Sequence, residues 1–284
     1  MIPSIHFPAI QRNHISGGAS RWIAVTAAAS TATLIGLAGC SAGSPASQHS
    51  SKALKEIKLA ADTSQNVRTL TASLSVHSAG NTTGNLTGTI AIQLKPTKLI
   101  SAHFHLVTGS TKVHLDEILT SDAIYFKDPA FAKNTGKPWV KAKFSQLSAK
   151  SGISLGSLLQ NLEGSNPLDQ TILFTASKDV RVVGPSTVDG VATTEYSGTY
   201  SPEKAYKSLS PELRKQLGTM LRNIGTHPVR FHVWIDGQHV IKKADNVESV
   251  RGQTVTTNLL VTSVNQPVHI KLPMAGQTAP LPKI

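Results

Sequence analysis

The chain is short of the residues that usually build disulfides, metal centres and catalytic clusters. It has one cysteine. One thiol makes no internal disulfide, and a zinc site would have to draw its other ligands from elsewhere. Aromatic residues make up only 5% of the chain, so its apolar surface must be mostly aliphatic. Acids are few, 16 against 28 lysines and arginines. Past residue 40, no apolar run approaches the roughly 18 residues needed to cross a membrane. No clean internal repeat is visible.

What is present is a globular composition, 39% hydrophobic and 15% charged over 284 residues. Disordered chains have lower hydrophobicity and a higher charge. About 235 residues beyond the N-terminal segment suffice for one domain with a sizeable core. The bases are scattered: Lys52, Lys55 and Lys58, then Lys95 and Lys98, Lys141 and Lys143, Lys242 and Lys243. No aromatic stripe runs between them, so no nucleic-acid partner is expected. The bland reading is a solvated surface. The functional one is weak attraction to anionic lipid headgroups.

The N-terminus carries the most specific signal. Residues 1–21 contain Arg12, Arg21 and no acid, and residues 22–38 are apolar or small. Leu37, Ala38, Gly39 and Cys40 follow at once. A basic region, an apolar region and a small-residue cleavage site make a secretory signal. Leu-Ala-Gly-Cys matches the bacterial lipobox, in which the Cys40 thiol receives a diacylglyceryl group and becomes the first residue after cleavage. Two or more acyl chains anchor stably where one binds only marginally. The expectation is a signal peptide over 1–39 and a protein held on the extracytoplasmic face of the cell membrane. Residues 41–50 hold no bulky apolar side chain and are predicted as a flexible tether with a reach of roughly 17 Å.

A single domain is predicted over 51–284. Leu54, Ile57, Ala60 and Ala61 predict a helix over about 51–64. Then Leu70, Ala72, Leu74 and Val76 alternate with polar residues. So do Leu86, Gly88, Ile90, Ile92 and Leu94, and Ile100, Ala102, Phe104 and Leu106. Val113, Leu115 and the run 123–126 continue the style. Period-2 alternation over successive segments is an antiparallel meander with one buried face. Ile153, Leu155, Leu158, Leu159 and Leu162 fit an amphipathic helix, and Leu168, Ile172, Leu173 and Ala176 fit another. Asp189-Gly190 and Asp236-Gly237 signal two tight hairpins. A helical pattern runs from Ser201-Pro202 to about Leu221, strands at 247–250 and 254–264 complete the sheet, and an extended tail follows Pro267. The order gives an α+β domain: a large antiparallel sheet with helices on one face.

Candidate chemistry is thin. Gly152-Ile153-Ser154-Leu155-Gly156 matches G-x-S-x-G, but that elbow needs a buried strand before the serine, and residues 146–151 are polar. His103 and His105 share a strand face opposite Ala102, Phe104 and Leu106, so they point to solvent rather than at a metal. Asp116 and Glu117 are neighbours on one strand and fall on opposite faces. No catalytic residue, metal site or cofactor is expected. The inward strand faces are the strongest remaining feature. Periodicity leaves open whether helices fill them or a hollow remains.

Several segments together resemble the LppX/LprA/LprF/LprG family of actinobacterial lipoproteins. They are the lipobox, residues 121–126 (Ser-Asp-Ala-Ile-Tyr-Phe), Lys137-Pro-Trp-Val-Lys141, Val188 to Gly198, and Pro228 to Lys243. Their order and spacing hold from about 52 to 273. The resemblance implies a fold similar to the carriers LolA and LolB: a curved half-barrel antiparallel sheet, helices on its concave face, and a hydrophobic cavity between. It implies binding of acylated lipids or glycolipids, their movement from the plasma membrane outward, and for some members a membrane lipid exporter as partner. It carries over no catalytic residue. The lipidated cysteine maps onto Cys40. The cavity wall maps onto Leu70, Leu74, Val76, Ile90, Ile92, Leu94, Ile100, Phe104, Leu106, Leu155, Leu158, Leu159, Leu162, Ile172 and Leu173. The helical stretch at 201–226 looks like an insertion relative to that family. The rival expectation is a surface lipoprotein acting as adaptor or sensor through protein contacts.

Overall fold

The computed structural model describes residues 45–80, 83–127, 129–143, 166–250 and 252–281. The chain divides into two compact units, Met1–Ala42 and Gly43–Ile284, and every described residue belongs to the second. The lipobox with Cys40, the helix expected at 153–162 and the Ser154 motif lie outside the described residues.

The meander forms as its alternation predicts. It runs β1 (Thr69–Ala79), β2 (Gly84–Gln93), β3 (Leu99–Thr108), β4 (Thr111–Leu119) and β5 (Ala123–Lys127), and β6 (Trp139–Lys143) extends it. After a helical stretch come β7 (Arg181–Val188), β8 (Val191–Tyr200), β9 (Val229–Asp236), β10 (Ile241–Val250), β11 (Gln253–Val264) and β12 (Thr278–Pro280). These make one 12-stranded sheet in the order β12-β6-β5-β4-β3-β2-β1-β11-β10-β9-β8-β7. The sheet is curved and not closed, as the predicted fold class requires. Every pairing is antiparallel except β12 with β6.

Register fixes one apolar face. Leu70, Ala72, Leu74 and Val76 stand opposite Ile92, Ile90, Gly88 and Leu86. Those in turn stand opposite Ile100, Ala102, Phe104 and Leu106. On the other flank Leu74 meets Leu259, Leu259 meets Ala244, and Ala244 meets Val233. A one-residue slip would turn this whole set to solvent, so the buried face holds the register. Gly88 is the small member of the row. A Cβ there would lie 2.0 Å from the His103 carbonyl and 2.5 Å from Phe104 Cδ1. Gly88→Ala is therefore expected to cost about 1–3 kcal/mol through overpacking, read as a lower urea midpoint. An unchanged midpoint would mean that the β3 backbone at His103 and Phe104 gives way without cost.

The helices cover part of this face. Helix α1 (Pro45–Gln65) buries Ala53, Ile57, Ala60, Ala61 and Ser64. It begins before residue 51, so residues 45–50 join the helix and not the predicted tether. Proline suits a first helical turn, and Ala46 and Gln48 suit helix. A 3-10 helix, Pro167–Ala176, takes the place of the expected α-helix at 168–176. Thr171 and Thr175 hydroxyls donate to carbonyls three residues back, at 2.5 and 2.6 Å, which suits the tighter winding. Asn166 Nδ2 donates to the Ser64 carbonyl at 2.9 Å and ties this helix to α1. Phe174 then stacks on Phe231 of β9, with ring centroids 4.3 Å apart. Gly198 makes room there, since a Cβ would lie 2.9 Å from both Phe231 Cζ and Ser177 Oγ.

Further elements depart from expectation. Helix α2 (Pro129–Thr135) and strand β6 were not predicted. The helix read as continuous from 201 to 221 is two helices, α3 (Pro202–Ser208) and α4 (Pro211–Ile224). Pro211 pushes Ser210 out of helical geometry, and the Ser210 side chain caps α4 by accepting from Leu213 N at 3.3 Å. Asp189-Gly190 makes the expected two-residue turn, both at positive φ. Asp236-Gly237 does not. Asp236 Oδ1 accepts from Gln238 N and Val240 N, each at 2.9 Å, which draws out a longer loop with His239 at positive φ. Strand β10 then runs unbroken from Ile241 to Val250, joining the two strands expected at 239–242 and 247–250. The tail is extended as predicted, but it ends in β12, parallel to β6.

Candidate functional site

The inner face divides into two zones. Where the helices lie, it is packed. Leu70, Ile90, Ile92, Ile100, Phe104 and Leu173 are buried in the core with Ile57 and Ala60 of α1. Beyond that zone, toward the far ends of β1 to β4, the inward side chains are only half-buried. Leu74, Val76, Leu86, Leu106, Val113 and Leu115 form this second zone. Leu94 and Ile172 are half-buried at the margin of the packed zone. The expected wall residues thus fall into a filled set and a partly uncovered set. Leu155, Leu158, Leu159 and Leu162 lie outside the described residues.

Glu117 interrupts the inner face at the border of the two zones. Register places it opposite Ala102 of β3 and Phe126 of β5, between Leu115 and Leu119 along β4. It is 3% exposed, and among the described residues it has no hydrogen-bond or ion-pair partner. Burial pushes its carboxyl up to about 7. Burial also raises Glu248, which lies inward on β10, and pushes Asp169 up to about 6. Asn246, inward on the same strand as Glu248, has a buried Oδ1 without a hydrogen-bond partner among the described residues. Sequence reasoning placed Asp116 and Glu117 on opposite faces but did not ask which one faced in. The signal was available, because Val113, Leu115, Glu117 and Leu119 share one parity.

The outer face is polar and paired. His103 Nδ1 lies 2.8 Å from Asp116 Oδ1, and Lys127 Nζ donates to Asp116 Oδ2 at 3.0 Å. Burial raises Asp116 somewhat, and these two bonds outweigh it, so its carboxyl sits below its ordinary value. His105 and His114 meet edge to face at 4.4 Å. His232 Nδ1 lies 2.7 Å from Glu195 Oε1. Away from this face, at the loop between β9 and β10, His239 Nδ1 lies 3.1 Å from Glu56 of α1, within ion-pair distance but not aligned as a hydrogen bond. Among the described residues no group of three or more His, Cys, Asp or Glu is placed to hold a metal ion.

An open depression of about 250 Å³ is lined by nine residues. Six of them, Ser73, Ser75, Thr87, Lys243, Asn258 and Leu260, face outward by register. It is a hollow over short side chains on the outer face, below the roughly 300 Å³ where ligand pockets begin, and it is not an acyl cavity.

No protein-family model matches the chain. A curated relative, an uncharacterised 31.2 kDa protein from the rplA-rplJ intergenic region of Streptomyces griseus, is 25% identical over 167 residues, 55% of each chain. The chain thus spans about half the length of the curated relative it matches. Among solved structures, it resembles LprF from Mycobacterium bovis with a TM-score of 0.51 and 13% identity, covering 78% of this chain and 97% of that one. It also resembles the lipoprotein LppX from Mycobacterium tuberculosis at a TM-score of 0.43 and 16% identity, over 78% and 99%. The LprF match bears out the fold that the sequence segments implied. At these identities the likeness concerns fold alone.

Proposed function

We propose that this protein is a non-enzymatic exported lipoprotein, tethered through lipid on Cys40, that binds acylated lipids or glycolipids on the inner face of its sheet and carries them outward from the plasma membrane. The observation that carries the reading is the second zone of the inner face. It offers six aliphatic side chains, half-covered, in a sheet of LprF-like fold. Ordinary cores bury such a row against a partner layer. A fatty tail would complete this one.

The energetics suit a carrier. Each buried CH₂ contributes about 0.8 kcal/mol, so a chain of about 16 carbons gains on the order of 10 kcal/mol over water. Escape into solvent is then slow, and transfer requires contact with a membrane or with a partner such as a lipid exporter. No helix among the described residues is long and apolar enough to cross a membrane. In this reading the anchor is the lipid on Cys40.

The test is organic extraction and native mass spectrometry of the full-length protein purified from its membrane. Acylated lipid is expected at near-stoichiometric yield. Leu74→Asp combined with Leu106→Asp is expected to lower that yield by roughly tenfold or more, since each places a charge on the apolar wall. Repeated recovery of no lipid from folded wild-type protein would leave only the adaptor reading.

A further inference from the structure

Large apolar side chains are well covered in this molecule. Among the described residues, four stand exposed: Val182 and Val183 on edge strand β7, and Leu272 and Met274 on the segment before β12. Met274 is 67% exposed and Leu272 is 47% exposed. That segment is held against the start of β6. Lys137 Nζ donates to the Gly276 carbonyl at 2.6 Å, and Thr278 pairs with Trp139. The 3-10 turn Ala275–Gln277 and the Thr278 hydroxyl both close back on the Met274 carbonyl, at 2.9 and 3.0 Å. Met274 therefore projects from an ordered turn.

The surroundings are basic. Residues 129–143 contain Lys133, Lys137, Lys141 and Lys143 and no acid, and no acid follows Glu248 in the chain. Lys271 and Lys133 are exposed. Asp128 immediately precedes this stretch and lies outside the described residues. Of the described acids on these strands, Asp116 is engaged by His103 and Lys127, and Asp122 by the Thr120 hydroxyl, with Lys141 and Lys143 close to it. Two rings sit beneath lysines on this edge. Lys127 Nζ lies 4.9 Å from the Trp139 ring and Lys141 Nζ lies 5.2 Å from that of Tyr125. Protruding aliphatics, flanking lysines and interfacial Trp and Tyr are what an anionic bilayer surface receives. The apolar groups enter the headgroup layer and the bases meet phosphates.

We propose that the β6–β12 edge docks the folded domain on an anionic phospholipid surface, with Leu272 and Met274 entering the headgroup layer and Lys133 and Lys271 meeting lipid phosphates. This goes beyond carriage, because it holds whether or not the inner face binds a lipid. It would orient the domain on the membrane in addition to the anchor at Cys40.

The test uses the full chain with Met274→Cys in a Cys40→Ala background, so that the thiol at 274 is unique. A polarity-sensitive fluorophore on that thiol reports locally, whatever else holds the chain. Vesicles containing phosphatidylglycerol are expected to shift its emission to the blue. Phosphatidylcholine vesicles should give little shift. About 0.5 M salt should reverse it, because screening then acts within a few ångström. The same label at exposed Thr87 should stay polar throughout. Lys133→Gln with Lys271→Gln is expected to raise the vesicle concentration needed by roughly tenfold. No vesicle-dependent shift at 274, or equal shifts with neutral and anionic lipid, would overturn the proposal; the former is the result a protein-docking edge would give. Lipid extraction reads the carrier function separately, so either idea fails on its own data.

Discussion

Phe231→Ala is expected to destabilise the domain by about 3–5 kcal/mol, the range for removing a buried aromatic. Phe231 is 1% exposed. Its ring lies flat on Phe174, and Tyr200 approaches it at 6.4 Å. The stack joins β8 and β9 to the 3-10 helix, which is itself tied to α1 through Asn166. Truncation opens a hole in the cluster of Phe174, Tyr200 and Phe231 and loosens the dock of the 3-10 helix. Urea unfolding should show the midpoint falling at constant slope. Phe231→Leu should lose distinctly less. Val182→Ala, on the exposed edge, should stay within about 0.5 kcal/mol of wild type. A loss below about 1 kcal/mol for Phe231→Ala would mean that the cluster is not where the two layers are joined.

The sheet was legible in the sequence wherever alternation was long. Strands β1, β2 and β3 each carry at least four inward residues on one parity, and their edges fall close to prediction. Strand β6 was missed because it is five residues long and its inward positions are Val140 and Ala142 alone. Strand β12 was missed for a different reason. Its extended form comes from pairing with β6, a contact between residues about 140 positions apart in sequence, and no local pattern encodes that. The break between α3 and α4 was readable at Pro211. It was overridden by Leu213, Leu217 and Leu221, whose helical spacing makes a second helix look like a continuation. At Asp236 the local signal was right about a turn and wrong about its length, because the aspartate side chain captured two amides that the dipeptide pattern does not count.

The inner face was legible as a set of residues and not as a surface with two zones. Alternation says which side a residue faces. It does not say how far along each strand the covering helices reach. Leu70 and Leu74 have the same parity and chemistry, yet α1 and the 3-10 helix cover the first and leave the second half-open. That difference is set by where the helices sit, and it decides which leucines pack into the core and which stay half-buried. The two partly uncovered features, the aliphatic zone and the Leu272–Met274 projection, are both paid for in exposed apolar surface. Covering them with a partner layer would bury more apolar area and add to stability.

The same reasoning applies with greater force to Glu117, whose carboxyl carries the second large prediction. Its ordinary value is 4.5 and burial pushes it up to about 7. Below about pH 4.5 it is protonated in both the folded and the unfolded chain, so it imposes no charge penalty. Between there and about pH 7 the unfolded chain releases the proton and the folded one keeps it. The folded state then binds more protons, so stability falls as pH rises, and the fall levels off above about pH 7. At about 1.4 kcal/mol per pH unit, the full loss is about 3 kcal/mol. Glu117→Gln keeps the shape and removes the titration. The gap between variant and wild type should therefore move by about 3 kcal/mol in favour of the variant between about pH 4 and pH 8, measured by urea unfolding. Glu248 and Asp169 shift the same way in both proteins, so their slopes cancel in the difference. Parallel stability curves would mean that water reaches Glu117 freely and that the inner face at β4 is wetter than its 3% exposure implies. If an acyl chain lies on the second zone, beside Leu115, it displaces water from the approach to Glu117. Added lipid should then steepen the wild-type slope and leave that of Glu117→Gln unchanged, which places the tail next to this carboxyl.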